Sequence, residues 1–135
     1  MRKLAWLGMV ALILLLAACK TGTTTVYGTL SGTVTYAKSA DKPLDDKANI
    51  GDPATDVIVR ISLLETPKYS GGQPLYVQGE PLFELTPDAS GGYKVEMPYG
   101  QYMLEIVGKE AKILAKQMIT LKSGQSLRAD FNVAQ

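Results

Sequence analysis

Between Leu30 and Val133 apolar residues fall at every second position in almost every segment, and a period of two commits a chain to β-strands with one buried face. Leu30, Val34 and Tyr36 alternate with Ser31, Thr33 and Thr35. Val57, Val59, Ile61 and Leu63 alternate with Ile58, Arg60, Ser62 and Leu64. The pattern returns in Phe83 and Leu85, in Tyr93, Val95 and Met97, and in Tyr102, Leu104 and Ile106. Ile119 and Leu121 continue it, and Leu127, Ala129, Phe131 and Val133 close it. Turn-forming residues separate these runs at Pro87 to Gly92, at Pro98-Tyr99-Gly100 and at Ser123-Gly124. Gly108 to Lys116 would make a helix of little more than two turns, too short to hold in water, so it reads as a turn at Gly108–Glu110 leading into a strand. About seven short strands at this spacing predict an all-β fold, a single seven-stranded antiparallel Greek-key β-sandwich over residues 29–135.

Two longer segments break the spacing, and loops of such length in a compact domain are commonly functional or disordered. Residues 37–56 carry Asp41, Asp45, Asp46, Asp52 and Asp56, but Lys38, Lys42 and Lys47 are interleaved with them. That mixture reads as a solvated loop, because a calcium loop needs six to eight oxygens from regularly spaced acids. Ser39-Ala40-Asp41-Lys42 fits Ser-x-x-Lys, a nucleophile motif that works where it opens a helix, whereas here Pro43 follows in a loop. Residues 66–81 hold Tyr69 and Tyr76 among Gly and Pro. Within them Leu75, Tyr76 and Val77 form a short apolar stretch flanked by Gly72-Gln73-Pro74 and Gly79-Glu80-Pro81, which is expected to face outward as a partner contact. Tyr99, in its own turn, is a third aromatic expected near the end of the sandwich. Around Ile113 to Leu121 the spacing of Lys112, Lys116 and Lys122 is expected to guard an edge strand against strand addition.

Composition narrows the chemistry. The chain of 135 residues has no histidine and one cysteine, which removes the commonest general base, the commonest metal ligand and any intrachain disulfide. Fourteen basic against thirteen acidic residues give no electrostatic case for nucleic acid. No Gly-rich phosphate loop or dinucleotide fingerprint occurs, so neither a cofactor nor a metal is expected.

The first nineteen residues, MRKLAWLGMVALILLLAAC, have a basic start at Arg2 and Lys3, an apolar middle from Leu4 to Leu15 and small residues at the end. That is the layout of an export signal, too short to serve as a comfortable bilayer span. Leu16-Ala17-Ala18-Cys19 resembles the bacterial lipobox. The resemblance implies cleavage between Ala18 and Cys19, thioether attachment of a diacylglycerol to Cys19, and acylation (palmitate or a similar chain) of the new amino terminus. Residues 1–18 are then the lipoprotein signal peptide, and residues 19–28 the lipidated cysteine and a flexible polar tether. Loss of Arg2 and Lys3 takes the net charge from +1 to −1. Lys20 is not the Asp that resembles an inner-membrane retention signal, so the expected location in a diderm cell is the outer membrane, facing the periplasm.

From Ser31 to Val133 the chain resembles the carboxypeptidase regulatory-like family, a transthyretin-like sandwich. The matching stretches are Gly32-Thr33-Val34, Pro43-Leu44, Val57 to Leu63, Thr86 to Tyr93, Pro98 to Leu104 and Leu121 to Val133. In that family the domain is generally an accessory module without catalytic residues, so the resemblance implies a fold and no active site. The expected function is a non-enzymatic, lipid-anchored envelope module making protein or glycan contacts at the membrane surface. The alternative is a periplasmic small-ligand binder using the 37–56 and 66–81 loops. Growth with a clickable fatty acid tests the anchor: the wild type incorporates the label and Cys19→Ser loses it, whereas an unlabelled wild type contradicts lipidation.

Overall fold

In the computed structural model, residues 26–65 and 68–135 are described. The first strand, β1 (Tyr27–Ala37), is eleven residues long and is paired along both edges. On one edge β7 (Gly92–Pro98) runs antiparallel to it from Tyr27↔Pro98 to Thr33↔Gly92. The short β2 (Ile50–Pro53) takes over beyond that, against Thr35 and Ala37. On the other edge β10 (Ser126–Arg128) and β11 (Phe131–Val133) both lie parallel to β1. Thr29 pairs with Ser126 and Val34 with Phe131 in the same register, so β10 and β11 are one strand interrupted at Ala129 and Asp130.

The interruption has a local cause. The carbonyl of Ala129 lies so close over Gly32 that a Cβ there would sit 1.7 Å from its oxygen. The buried Tyr93 hydroxyl donates to that oxygen at 2.5 Å, and the Ala129 N–H donates to Ser31 O at 2.9 Å. Where the ladder lapses, the Asp130 carboxylate accepts from the Thr33 N–H at 2.8 Å and from its hydroxyl at 3.1 Å. A side chain thus supplies the acceptor that the backbone does not, and no buried polar side-chain atom among the described residues is left unpaired.

The second sheet is antiparallel, with the order β6-β3-β8-β9, from β3 (Ile58–Leu64), β6 (Gln78–Leu85), β8 (Gly100–Val107) and β9 (Ile113–Leu121). Between β3 and β6 the chain makes a small hairpin of β4 (Lys68–Ser70) and β5 (Gln73–Leu75). Its turn uses Gly71 and Gly72 at φ of 59° and 80°, values that suit glycine best. Leu30, Val34, Met97, Phe131 and Val133 from the first sheet meet Val59, Ile61, Tyr102, Leu104, Ile106, Ile119 and Leu121 from the second in one core. The protein is a β-sandwich.

Several expectations need correction. Nine strands, not seven, build the two sheets. β2 arises inside the segment expected to be a loop, and the last strand is split over Gly32. The first sheet is mixed rather than wholly antiparallel, since its last strands run parallel to β1. Tyr27 and Gly28, expected in the tether, begin β1. At the end of β3 the direction of the side chains persists, with Leu63 opposite the inward Tyr102, but burial does not follow it. Leu63 is exposed while Ser62 and Leu64 are buried; the Gln78 amide donates to the Ser62 hydroxyl at 3.3 Å, and the β3–β6 register shifts between Ser62 and Leu64.

Gly32→Ala is expected to cost about 2–4 kcal/mol, in the range of severe steric substitutions, and Tyr93→Phe about 1–2 kcal/mol for the lost buried hydrogen bond. Urea midpoints at unchanged slope measure both; a Gly32→Ala protein of wild-type midpoint contradicts the close approach.

Candidate functional site

The two ends of the sandwich differ in chemistry. At one end β1 begins, β7 finishes at Pro98 and β8 starts at Gly100. The Tyr99 N–H donates to Val26 O at 2.9 Å, and the Gly124 N–H donates to Tyr27 O at 2.8 Å, so the three segments are tied together. β3 also ends here, since Leu63 pairs with Tyr102 near the start of β8. The chain then leaves for the β4–β5 hairpin and returns as β6, where the Glu65 N–H donates to Val77 O at 2.9 Å. Leu75 closes β5, and Tyr76 and Val77 bridge to β6. All three are exposed, at 56%, 37% and 37%, as their Gly- and Pro-rich flanks led one to expect. Ala18 and Cys19 lie outside the described residues. Among the described residues no helix is long and apolar enough to cross a membrane.

At the opposite end a cavity of about 360 Å³ is lined by Tyr36, Asp56, Lys109, Lys112 and Leu114. Tyr36 comes from the end of β1, Asp56 from the approach to β3, and the lysines from the turn between β8 and β9. The Tyr36 hydroxyl donates to Asp56 Oδ1 at 2.5 Å, and Lys109 Nζ stands 3.6 Å from Oδ2. The Tyr36 hydrogen bond, aided by the Lys109 charge, holds the Asp56 carboxyl below its ordinary value. Burial first, and then Asp56, push the Tyr36 phenol up to about 12. The turn carries Glu110 and Ala111 at φ of 55° and 58°, two successive non-glycine residues in left-handed backbone. A carboxylate held below its ordinary value by these donors is a weak base at neutral pH.

The long loop is organised by Asn49, which is buried. Its amide donates to the carbonyls of Ser39 at 3.0 Å and of Lys42 and Pro43 at 3.2 Å, and its oxygen accepts from the Ser39 N–H at 2.8 Å. Ser39 to Lys42 therefore form a collar around an amide rather than the start of a helix, and the Ser39 hydroxyl accepts from the Asp41 N–H at 3.3 Å. Asp46 caps a 3-10 turn at Lys47–Asn49 through the Ala48 N–H. Among the described residues no three of His, Cys, Asp or Glu are close enough to hold a metal ion.

A fourth feature escaped sequence reasoning. Glu105 points to the outer face of the second sheet yet is only 3% exposed. Its carboxylate meets Lys116 Nζ at 3.3 Å, Arg60 at 4.0 Å and the Gln78 amide at 3.2 Å. Lys116 also donates to Gln78 Oε1 at 3.0 Å. The lysine expected to guard the β9 edge is instead drawn over the sheet face toward β8. The signal was present as matched charges at adjacent strand positions, Arg60↔Glu105↔Lys116, but only the register reveals the match.

No family model matches this chain, and no curated protein is similar to it.

The folded chain holds Asp56 below its unfolded value, so it gains stability above that unfolded value and loses it as pH falls through the lowered one. Tyr36→Phe is expected to move the Asp56 titration, followed by carboxyl-carbon NMR, up toward 3.8. An unchanged titration in that variant contradicts the tyrosine's role.

Proposed function

We propose that this chain is a lipid-anchored, non-enzymatic β-sandwich module of a bacterial cell envelope, in the outer membrane facing the periplasm where the cell has one. It makes protein or glycan contacts at the membrane surface. The lipobox-like Leu16 to Cys19 supports the anchor, and the resemblance to carboxypeptidase regulatory-like domains supports an accessory role. The observation that carries the contact function is the exposure of Leu75, Tyr76 and Val77 on the link between β5 and β6. Apolar side chains presented together beside a hairpin are the kind of anchor that dominates interface energetics. They also lie at the end of the sandwich where β1 begins.

A second reading, a periplasmic binder of small ligands, draws on the cavity of about 360 Å³ between Tyr36, Asp56 and Lys112. That volume lies at the small end of the range for small-molecule sites.

Crosslinking in intact envelopes followed by mass spectrometry separates the two. The module reading expects one reproducible partner and a roughly tenfold loss of its capture in Tyr76→Ala, with the melting temperature unchanged. Undiminished capture in Tyr76→Ala removes the patch from the interface, and a large fall in melting temperature shows that Tyr76 belongs to the core.

A further inference from the structure

We infer that the tip formed by Val26, Tyr27, Tyr99 and Lys122 rests on the surface of the lipid bilayer, so that the sandwich stands on its tether end; this builds on the lipid-anchor reading. Tyr27 and Tyr99 are well exposed, at 52% and 59%, and Val26 beside them is exposed as well. They come from distant parts of the chain and are brought together by the Tyr27↔Pro98 pair and the Tyr99 to Val26 hydrogen bond. Two phenols around an aliphatic side chain form a surface apolar in its body and polar at its edge, the chemistry that settles at the headgroup level of a bilayer. Lys122 follows the end of β9 on the same tip, and its ammonium has no ion-pair partner among the described residues. A long aliphatic stem with a terminal cation suits an anionic headgroup. Glu96 is set back from the tip, opposite Thr29 rather than Tyr27.

The length of chain outside the described residues selects the occupant. From Cys19 to Val26 the reach at full extension is about 25 Å, at roughly 3.5 Å per residue. β1 alone, at 3.3 Å per residue, is about 36 Å long. A lipidated Cys19 therefore keeps this tip near the headgroups, while Leu44 and the Asp56 cavity stand at the far end. The hairpin patch is then held next to the bilayer, where its partner would be membrane-associated.

Depth-dependent quenching tests this on the full lipidated chain in vesicles of phosphatidylethanolamine and phosphatidylglycerol. Trp6 is the only tryptophan and leaves with the signal peptide, so Tyr99→Trp and, at the opposite end, Leu44→Trp each introduce a single reporter into the mature chain. Lipids brominated near the headgroup are expected to quench Tyr99→Trp at least threefold more than Leu44→Trp, with both variants melting like the wild type. Equal quenching of the two, or none of either, in protein that floats with the vesicles overturns the inference and leaves the anchor standing. Wild-type protein that neither floats nor carries the acyl mass overturns the anchor, and the orientation with it.

Discussion

The sandwich depends on the contact of one carbonyl with one glycine. Ala129 O lies over Gly32, and only a residue without a Cβ admits it. Tyr93 sits directly opposite Gly32 on β7, and its hydroxyl passes across the glycine to reach that carbonyl at 2.5 Å. A single hydrogen bond thus ties β7 to the broken β10–β11 strand across β1. Burial raises the Tyr93 phenol's affinity for its proton, which favours the donor form. Asp130 then completes the ladder from the next position, held below its ordinary pKa by Arg128 and by the Thr33 donors despite partial burial. The seam lies between β10 and β11, both parallel to β1, and Phe131 and Val133 of β11 are in the core.

Much of this fold is legible in alternation, because a strand's two faces follow from period two whatever its neighbours. Leu30 and Val34, Tyr93 and Met97, Tyr102, Leu104 and Ile106, and Ala129, Phe131 and Val133 are buried as their positions indicate. Alternation is blind to strand direction, however, so the parallel pairing of β10 and β11 could not be read from it. It is equally blind to what covers a face. Ser62 and Glu105 are buried on the outer side because Gln78 and Lys116 fold over them, which depends on a register set by bulges between β3 and β6. The collar around Asn49 shows the same limit, since its partners are backbone carbonyls that carry no side-chain signature.

The candidate surfaces divide along the same line. Leu75, Tyr76 and Val77 could be picked out because Gly and Pro isolate them on both sides. The Val26, Tyr27 and Tyr99 tip could not, because β1–β7 pairing brings it together from distant segments. Val26, Tyr27, Tyr99 and the Leu75–Val77 link are exposed at the end where the chain enters, while the Tyr36–Asp56–Lys109 cluster lies at the other, with the exposed aliphatics Ile50, Ile58 and Ile113 around it.

The seam is the part of the account on which the rest stands, and solution NMR of the chain reaches it directly. Cross-strand contacts between β1 and the C-terminal strand should follow a constant sequence separation of 97, from Thr29 to Tyr36, with close approach of the Gly32 α-protons to Ala129 and Asp130. Contacts in which the partner's number falls as β1 advances would mean antiparallel pairing. That result would contradict the placement of Gly32, Tyr93 and Asp130.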